Sequence, residues 1–545
     1  MRRETAPGLA CATGFEGLFA KTAEVPGQPR GNRLVCSLCG RDAVVSVDVR
    51  RTSRHVIPFK NGPQNLRVPL FSAEVATQGT SAANRWTYRR PRSTASGTAA
   101  PNQASICQGA ADAVVKGGPG SMLALMTAAY RKADNFGEVW FLPLADAEAG
   151  VAATGGVTLT GGATATGVLS LYIGGALVSQ AVTSGQSAAT AATALAATVN
   201  AMIDLPVTAS ADTGVVTLTA KNKGPAGNEI DLRLNYRGAA GGEASPVGLS
   251  VAVTPMASGA TPPDLSAAFA GLSDMAFDFI VFPYTDAASL DAVKALLNDV
   301  SGRWSWSQQI YGHAFAAKRG TLGALTSFGS TRNDQHVSVL GFYDSPTPAW
   351  VVAADFAGTA AVSLRADPGT PLQTLALSSM LAPPIASRFA IAERNVLLWD
   401  GVSTFVTADD GTCRLENVIT TYQKNGFGAA DDSYLEVETL FLLAFILRRM
   451  KSVITSKYAR VKLAANGTRF GPGANVVTPN IIRADLIAAY RELEAEGYVQ
   501  NGDVFKAEII VEKNKTNPNR VDVLWPGALI NQLRIFALLA QFRLQ

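Results

Sequence analysis

Apolar and polar residues are arranged in different patterns along this chain, and each pattern predicts a different kind of structure. Between residues 262 and 385, short runs that are apolar throughout alternate with segments of helical period. The predicted strands are Phe277–Pro283, Gln309–Ala317 and Gln335–Tyr343, and the predicted helices are Asp286–Asn298, Thr321–Phe328 and Trp350–Leu364. Apolar strands that alternate with helices indicate a parallel sheet covered by helices on both faces.

An earlier segment, residues 121–150, continues the same alternation and is assigned to the same α/β region. It contains a predicted helix, Ser121–Lys132, and a predicted strand, Glu138–Leu144. The hydroxyl of Ser121 can cap the start of that helix.

Residues 151–261 separate the two α/β segments and are rich in Gly, Ala, Thr and Val. Short strands are predicted at Gly156–Thr160, Gly167–Ile173, Gly214–Ala220 and Ile230–Tyr236, with an Ala-rich helix at Ser187–Asp204. Glycine-rich connections between short strands are typical of a compact β-rich module, which we interpret as a surface insertion.

In residues 386–545 the predicted strands and helices no longer alternate regularly, which indicates an α+β region. Strands are predicted at Ala392–Trp399 and Arg414–Tyr422, helices at Tyr434–Ser456 and Pro479–Gly497, and a hairpin-like pair at Val504–Glu512 and Asn519–Leu524.

The last residues of the chain are apolar and alternate with polar ones. Phe542 and Leu544 are interleaved with Gln541, Arg543 and Gln545, the period of a half-buried strand. An apolar strand edge needs a backbone partner, since an unpaired one is prone to aggregation. The segment is therefore expected either to fold back into its own domain or to add a strand to a neighbouring subunit.

The first 120 residues show little periodicity and are rich in Arg, Gly, Ser and Pro. Residues 1–65 form a basic extension that we leave unassigned, and residues 66–120 form an arm followed by a divergent segment. The basic residues could bind nucleic acid or an anionic membrane, but a disordered basic segment is the better interpretation.

The amino-acid composition limits the class of protein and the compartment in which it folds. The 545 residues are 47% hydrophobic and 17% charged, with a net charge of only +4, so several cores can be buried and much neutral surface is left for contacts. Five scattered cysteines do not form a disulfide framework, which favours a reducing, cytoplasmic folding compartment. No apolar run has membrane-spanning length, and the N-terminus has no signal-peptide pattern.

Two motifs have the spacing of binding sites, and each has a simpler explanation. Cys36 and Cys39 have metal-ligand spacing, but four ligands are needed and only Cys11 and His55 are at all near. The glycine-rich loop at residues 117–121 could bind an anion, yet it lacks the Lys-Ser/Thr ending of a phosphate loop. We therefore expect no metal, no cofactor and no small-molecule substrate.

A catalytic constellation is not evident either. Of the three histidines, His313 lies inside an apolar strand and His336 begins another. Asp286 and Asp334 could be drawn into a triad, but no Gly-x-Ser-x-Gly motif positions a nucleophile. We interpret the histidines as core residues and predict no enzymatic activity.

Several separated blocks of the chain, in the same order, resemble the tail sheath proteins of Mu-type contractile bacteriophages. They are Leu66–Val75, Gly120–Arg131, Phe282–Ala288, Ser301–His313, Leu364–Leu375, Glu393–Thr404, Ile419–Asn425, Lys462–Thr468 and Asn519–Phe536. The resemblance implies a structural subunit that stacks as hexameric rings around a tail tube and contracts on host contact. It also implies a subtilisin-like α/β core without proteolytic activity, an outward-facing insertion and a tube-facing C-terminal domain.

The resemblance further implies that terminal strands are exchanged between subunits and that the partners are the tail tube, baseplate and tail terminator proteins, without direct nucleic-acid contact. The residues expected in this mesh are Leu66, Val68, Leu533, Ile535, Phe536, Phe542 and Leu544. The protein would be assembled in the host cytoplasm and become part of the virion.

The N-terminal part departs from the family pattern. Nothing before Leu66 resembles it, and Arg85–Ala95 stands where an apolar strand is expected, so we expect the central sheet to lack one strand. A wrongly extended start and a frameshift between about residues 77 and 107 would explain both features.

The alternatives to the function as a phage tail sheath subunit are a sheath subunit of a tailocin or degenerate prophage, a subtilisin-like hydrolase, and an adhesin-like surface protein built on the insertion.

Overall fold

The structure, a computed structural model, describes residues 97–541 and the two-residue strand Tyr88–Arg89. All of these residues belong to one compact unit. The sequence predictions that fall outside the described residues concern the basic extension 1–65 with Cys11, Cys36, Cys39 and His55, the arm residues Leu66 and Val68, and the terminal residues Phe542 and Leu544.

The segment before the insertion contributes two helices and short strands. Its elements are β1 (Tyr88–Arg89), β2 (Ser105–Ile106), α1 (Ala110–Gly117), α2 (Met122–Ala133) and β3 (Trp140–Phe141). The predicted cap is confirmed, because the Ser121 hydroxyl accepts the N–H of Ala124. Of the predicted strand Glu138–Leu144, only β3 pairs in a ladder, with β2 as its antiparallel partner.

The insertion consists of two antiparallel sheets and one long helix, close to the elements predicted for it. Its elements are β4 (Ala152–Gly161), β5 (Gly167–Ile173), β6 (Ala176–Val182), α3 (Ala188–Ala201), β7 (Val207–Asp212), β8 (Val215–Lys223), β9 (Leu232–Leu234) and β10 (Leu249–Ala257), with short 3-10 turns at Pro225–Glu229 and Ala239–Gly241. The sheets have the strand orders β10-β4-β8-β7 and β6-β5-β9. Leu195 and Val199 of α3 are buried and close the core of the module.

After the insertion, strands and helices alternate as the sequence predicts. The elements are α4 (Ser266–Ala270), β11 (Phe279–Val281), α5 (Ala287–Leu297), β12 (His313–Arg319), α6 (Leu322–Ser330), β13 (Val337–Phe342) and α7 (Ala349–Ala366). Asp286 caps α5 by accepting the N–H of Ser289, and Thr321 caps α6 by accepting that of Ala324.

The central sheet has the order β1-β11-β12-β13 and is parallel throughout. Our expectation that this sheet lacks a strand was wrong, because Tyr88–Arg89 pairs with Phe279 and Ile280 at its edge. Sequence reasoning required an apolar strand there. Backbone hydrogen bonds form regardless of side-chain polarity, so a very short polar segment can still take an edge position.

Helices cover both faces of this sheet, as its apolar strands predict. On one face, the rings of Phe279 and Phe315 pack against Phe441 and Phe356, with centroids 4.7 Å and 5.2 Å apart respectively. On the other face, a Cβ added at Gly341 would lie 3.1 Å from the Leu325 side chain of α6. Burial on both faces explains why these strands have no polar side.

The C-terminal region mixes short ladders with long helices. Its elements are β14 (Ala376–Leu377), a 3-10 turn (Ile385–Ser387), α8 (Ile391–Trp399), β15 (Thr404–Thr407), β16 (Cys413–Asn417), α9 (Val437–Tyr458), β17 (Lys462–Leu463), β18 (Val476–Val477), α10 (Pro479–Ala495), β19 (Val499–Gln500), α11 (Gly502–Glu508), β20 (Ile510–Lys513), β21 (Val521–Leu524) and β22 (Ala528–Leu529). β14, β16 and β15 form a three-stranded antiparallel sheet, and β20 pairs antiparallel with β21.

Two sequence predictions in this region were wrong. The stretch Ala392–Trp399 is helix α8, not a strand, and the Glu393 carboxylate accepts the N–H of Ala390 to cap it. The first part of Val504–Glu512 is helix α11, which follows a left-handed turn at Asn501. In both cases the apolar residues of the segment predict a strand, but a local cap or turn starts a helix there.

Charged side chains join the insertion to the α/β region. Arg319, at the end of β12, lies 3.5 Å from both Glu229 and Asp231 of the insertion. Arg233 of the insertion bonds Asp231 at 2.5 Å and Asp344 at 3.1 Å. These side chains are 16–35% exposed, so solvent screens them only in part. The network therefore fixes the insertion on the α/β region.

Replacing Arg319 by methionine should destabilise the protein, because Glu229 would lose its arginine partner and Asp231 would keep only Arg233. We expect the free energy of unfolding to fall by about 2–3 kcal/mol, measured by urea denaturation. The matched control is Arg449→Met, whose pairs with Glu492 and Glu496 are 3.7 and 3.3 Å long and about 40–60% exposed. It should cost less than about 1 kcal/mol. Equal losses in both variants would contradict a structural role for the network.

Candidate subunit interface

The chain leaves its own fold after β22 and continues as an exposed apolar tail. Leu529 is buried, but the residues that follow form neither helix nor strand up to Gln541, the last residue that the structure describes. Leu533, Ile535, Phe536, Leu538 and Leu539 are 70–83% exposed. Over the described part of the predicted strand Leu533–Leu544, residues 533–541, no strand is formed within a single chain, because the backbone there has no ladder partner among the described residues.

The root of this tail is held by a cluster of aromatic rings. β22 pairs with β19, and the hydroxyl of Tyr490 accepts the N–H of Ala528 at 3.0 Å. The ring of Tyr490 stacks on Phe505 with centroids 3.8 Å apart, and Trp525 packs against Phe505 at 5.5 Å. The tail therefore starts from a fixed position.

One arginine ties the tail to the start of helix α9. An Nη atom of Arg534 lies 2.6 Å from Glu436 and 2.7 Å from Glu438, and the Leu533 carbonyl accepts a hydrogen bond from Gln373 at 3.3 Å. Glu438 is fully buried and also accepts the N–H of Leu372. Arg534 is the only residue in the described part of the tail that forms an ion pair.

Burial and the charge of Arg534 shift the pKa values of these two carboxyl groups in opposite directions. Burial raises the pKa of Glu438 and of Glu436 above the ordinary value, and the Arg534 guanidinium opposes that rise. Both carboxylates lie at the N-terminal end of α9, where the helix dipole also favours negative charge. Arg534 is therefore the cation that makes a buried carboxylate tolerable at this position.

Sequence reasoning identified the exposed residues of this site but not its anchor. Leu533, Ile535 and Phe536 lie exposed on the tail, and the role in the subunit mesh that the sequence predicts for them remains a prediction. Arg534 was missed because its partners lie almost a hundred positions earlier in the chain. A single arginine within an otherwise apolar run was the available signal.

The glycine-rich loop at residues 117–121 is closely packed. Its residues are largely buried, and a Cβ at Gly120 would lie 2.1 Å from the Leu205 carbonyl, so this loop is a tight turn. Within the described part of the chain, no three His, Cys, Asp or Glu side chains are grouped for a metal ion. No described helix is long and apolar enough to cross a membrane.

A serine and a histidine do meet in the central sheet. His313 Nε2 lies 2.9 Å from Ser338 Oγ, and both side chains are at most 1% exposed. Burial lowers the pKa of His313 well below its usual range. Among the described residues nothing bonds His313 Nδ1, the atom that a triad carboxylate would orient, and Asp299 bonds His336 instead.

Comparison with known proteins identifies the family of the chain. The model of the phage tail sheath central domain matches residues 258–421, and that of the phage tail sheath C-terminal domain matches residues 429–543. The Mu-like prophage FluMu tail sheath protein of Haemophilus influenzae is 41% identical over 490 residues, covering 89% of this chain and 99% of the relative. The chain belongs to the phage tail sheath family.

Two solved tail sheath proteins are also similar to this sheath protein. The protein from Desulfitobacterium hafniense is 14% identical, with a TM-score of 0.44 over 86% of this chain and 97% of the other. The protein from Listeria innocua is 14% identical, with a TM-score of 0.44 over 83% and 93% of the two chains. Family membership makes this protein a structural component of a phage-type tail and of the virion.

Replacing Arg534 by methionine should release the tail of the sheath protein from α9. A lost hydrogen-bonded charge pair of this kind corresponds to roughly a tenfold change in the docked population. We therefore expect chymotrypsin to cleave after Phe536 about tenfold faster, measured by mass spectrometry of the fragments. The control Arg491→Met removes an exposed pair of 3.5 Å with Asp503 and should leave the cleavage rate unchanged. Identical rates for the Arg534 variant and the native protein would show that the anchor does not hold the tail.

Proposed function

We propose that this protein is the structural subunit of a contractile tail sheath, which polymerises around a tail tube and contracts to drive the tube through the host envelope for genome delivery. The proposal rests on membership of the sheath family together with one observation, the exposed apolar tail that Arg534 holds at its root. Monomeric soluble proteins rarely expose an apolar segment of this size, and such segments mark interaction sites.

The tail is suited to being added as a strand to a neighbouring subunit. Beyond Arg534, residues 535–541 can extend over roughly 23 Å at about 3.3 Å per residue. Ile535 and Leu539 would lie on one face of the strand, and Phe536 and Leu538 on the other. A strand that is apolar on both faces requires cover on both sides. We therefore propose that the neighbour supplies both a ladder edge and an apolar pocket.

Two-stranded ladders in the C-terminal region offer edges of the required kind. Within the described residues, β20 pairs only with β21, and β17 only with β18, so each ladder has outer edges without a backbone partner. The arm around Leu66 and Val68, outside the described residues, is the proposed donor at the other end of the chain.

The partners that follow from this proposal are further copies of the same chain in hexameric rings, a tail tube protein, and the baseplate and tail terminator proteins. The sheath would form in the host cytoplasm before it becomes part of the virion. Energy for contraction would be stored in the subunit lattice, by a shift between two packings of rigid subunits, rather than supplied by a catalysed reaction.

Disrupting the apolar tail should prevent polymerisation. The double variant Phe536→Ser, Leu538→Ser removes two side chains that would fill the neighbour's pocket. We expect the native protein to form hollow striated tubes that sediment, and the variant to stay in the supernatant under the same conditions, as judged by ultracentrifugation and negative-stain microscopy. The control is Phe136→Ser, because Phe136 is 96% exposed but lies in the turn after α2. Tubes of normal length from the double variant would refute strand donation.

The protein is proposed to have no hydrolytic activity, and its Ser338 can be tested for this directly. Ser338 is completely buried and its His313 partner has no orienting carboxylate among the described residues, so a fluorophosphonate probe should not label it. The measurement is mass spectrometry of the native protein after incubation with the probe. Labelling of Ser338 in the native protein, and not after denaturation, would favour the hydrolase alternative.

A further inference from the structure

The hairpin at residues 424–430 carries an asparagine whose side-chain amide is placed for a covalent rearrangement. Lys424 and Ala430 form an antiparallel bridge, and the N–H of Asn425 donates to the Ala429 carbonyl at 2.9 Å. Asn425 is followed by Gly426, which is exposed. A glycine at this position puts no side chain beside the peptide nitrogen that would attack the asparagine amide. The sequence of the hairpin therefore leaves this attack unhindered.

Two backbone N–H groups point at the side-chain carbonyl of Asn425. Its Oδ1 accepts the N–H of Phe427 at 3.0 Å and the N–H of Ala429 at 3.2 Å. The first of these bonds closes an Asx turn, which folds the amide group back over the peptide bond that follows it. When the amide carbon is attacked, its oxygen becomes an oxyanion. Paired N–H donors are the arrangement that stabilises such an anion.

The groups that would react are themselves unbonded, whereas the base of the hairpin is fixed. Neither Nδ2 of Asn425, which would leave, nor the N–H of Gly426, which would attack, has a hydrogen-bond partner among the described residues. A Cβ added at Gly426 would meet nothing within 4 Å, so water reaches the attacking nitrogen. At the base, Asn333 Oδ1 accepts the N–H groups of Gln423 and Lys424 at 2.7 and 2.9 Å.

The two other Asn-Gly pairs of the described residues lack this combination. Asn466 Oδ1 accepts a single N–H, that of Asn480, at 3.0 Å. After Asn501, the N–H of Gly502 donates to the Glu494 carboxylate at 2.8 Å, and Gly502 is buried. The attacking nitrogen is thus bonded and shielded from water at Asn501, and the amide oxygen has one donor instead of two at Asn466.

We propose that Asn425 is a site of spontaneous covalent modification, at which the side-chain amide is converted to a carboxylate through a cyclic imide. Hydroxide takes the proton of the Gly426 nitrogen, which then forms a bond to Cγ of Asn425. The bond between Cγ and Nδ2 breaks, water returns a proton to the departing nitrogen, and ammonia leaves. Water next adds to one of the two imide carbonyls and reopens the ring. Opening at one carbonyl gives aspartate, and opening at the other gives isoaspartate, whose backbone is one carbon longer.

The conversion changes the segment that joins the two domain matches, since residues 422–428 lie between them. Each converted amide lowers the net charge of +4 by one. Aspartate keeps an oxygen where the two N–H groups are aimed. Isoaspartate shifts the chain by one carbon within the hairpin, so we expect it to break the Lys424–Ala430 bridge. The inference does not depend on the proposed sheath function.

The conversion can be followed in the full-length, unassembled protein. The protein is incubated at mildly alkaline pH in oxygen-18 water, which marks every amide hydrolysed before digestion, and peptides are analysed by mass spectrometry. Asn425 should be converted at least about tenfold faster than Asn501, because the reaction at Asn501 must first break the bond between Gly502 and Glu494. Asn466 should also be converted more slowly than Asn425. The rate at Asn425 should rise with pH, because the attacking nitrogen must lose a proton.

The variant Gly426→Ala tests the attacking position while leaving the fold intact. Gly426 is outside the left-handed region of backbone conformation and has open space around it, so alanine should be accommodated and thermal denaturation should be unchanged. The added side chain should slow the conversion of Asn425 by at least about tenfold, since it restricts the approach of the nitrogen to the amide carbon. Asn466 in the same variant is the internal control and should be converted at its native rate.

Three outcomes would overturn the inference. If Asn425 is converted no faster than Asn466 or Asn501, the paired N–H donors do not promote the reaction. If Gly426→Ala is converted as fast as the native protein, the Gly426 nitrogen is not the attacking group. If aspartate is formed at position 425 without isoaspartate, the amide is hydrolysed directly and no cyclic imide is involved. None of these outcomes bears on the proposed sheath function, because all are measured before assembly.

Discussion

The pairing of Arg534 with Glu436 and the fully buried Glu438 is the constraint on which the proposed interface depends. It connects the last described segment of the chain to the first turn of the longest helix, and it does so at a position where a carboxylate is completely buried. Because separating the partners would leave a buried charge uncompensated, the tail is fixed at Arg534, whereas residues 535–541 make no backbone hydrogen bond to the other described residues. Residues 535–540 are all apolar, so the anchor determines which segment would be donated to a neighbour in the proposed assembly.

The rest of the molecule provides a rigid support for this offered segment. A parallel sheet buried on both faces forms the centre, aromatic side chains from α7 and α9 close one side of it, and a partly buried charge network fixes the insertion. Partly buried ion pairs lie at the junction of the insertion with the α/β region, and a continuous run of exposed apolar residues lies on the tail. This distribution suits a subunit that moves as one body and exchanges contacts only at its surface.

Local signals in the sequence predicted much of this fold. Ser121, Asp286 and Thr321 cap helices where the pattern placed them, and the continuous apolar strands correctly indicated a sheet covered on both sides. The errors occurred where the deciding interaction is not local. α8 was taken for a strand because it is apolar on two sides, and one of these sides has no partner in a single chain. The role of Arg534 as the anchor of the tail was also missed, because its partners are distant in sequence.

Hydrogen exchange of the tail in the assembled and unassembled protein tests the central claim most directly. In the single chain, no described residue accepts a hydrogen bond from the backbone N–H groups of residues 531–541, so these amides should exchange within seconds before assembly. If the tail is added as a strand to a neighbouring subunit, the amides beyond Arg534 should become protected by several orders of magnitude in sedimented tubes. Tubes in which residues 535–541 still exchange as rapidly as in the free chain would contradict strand donation.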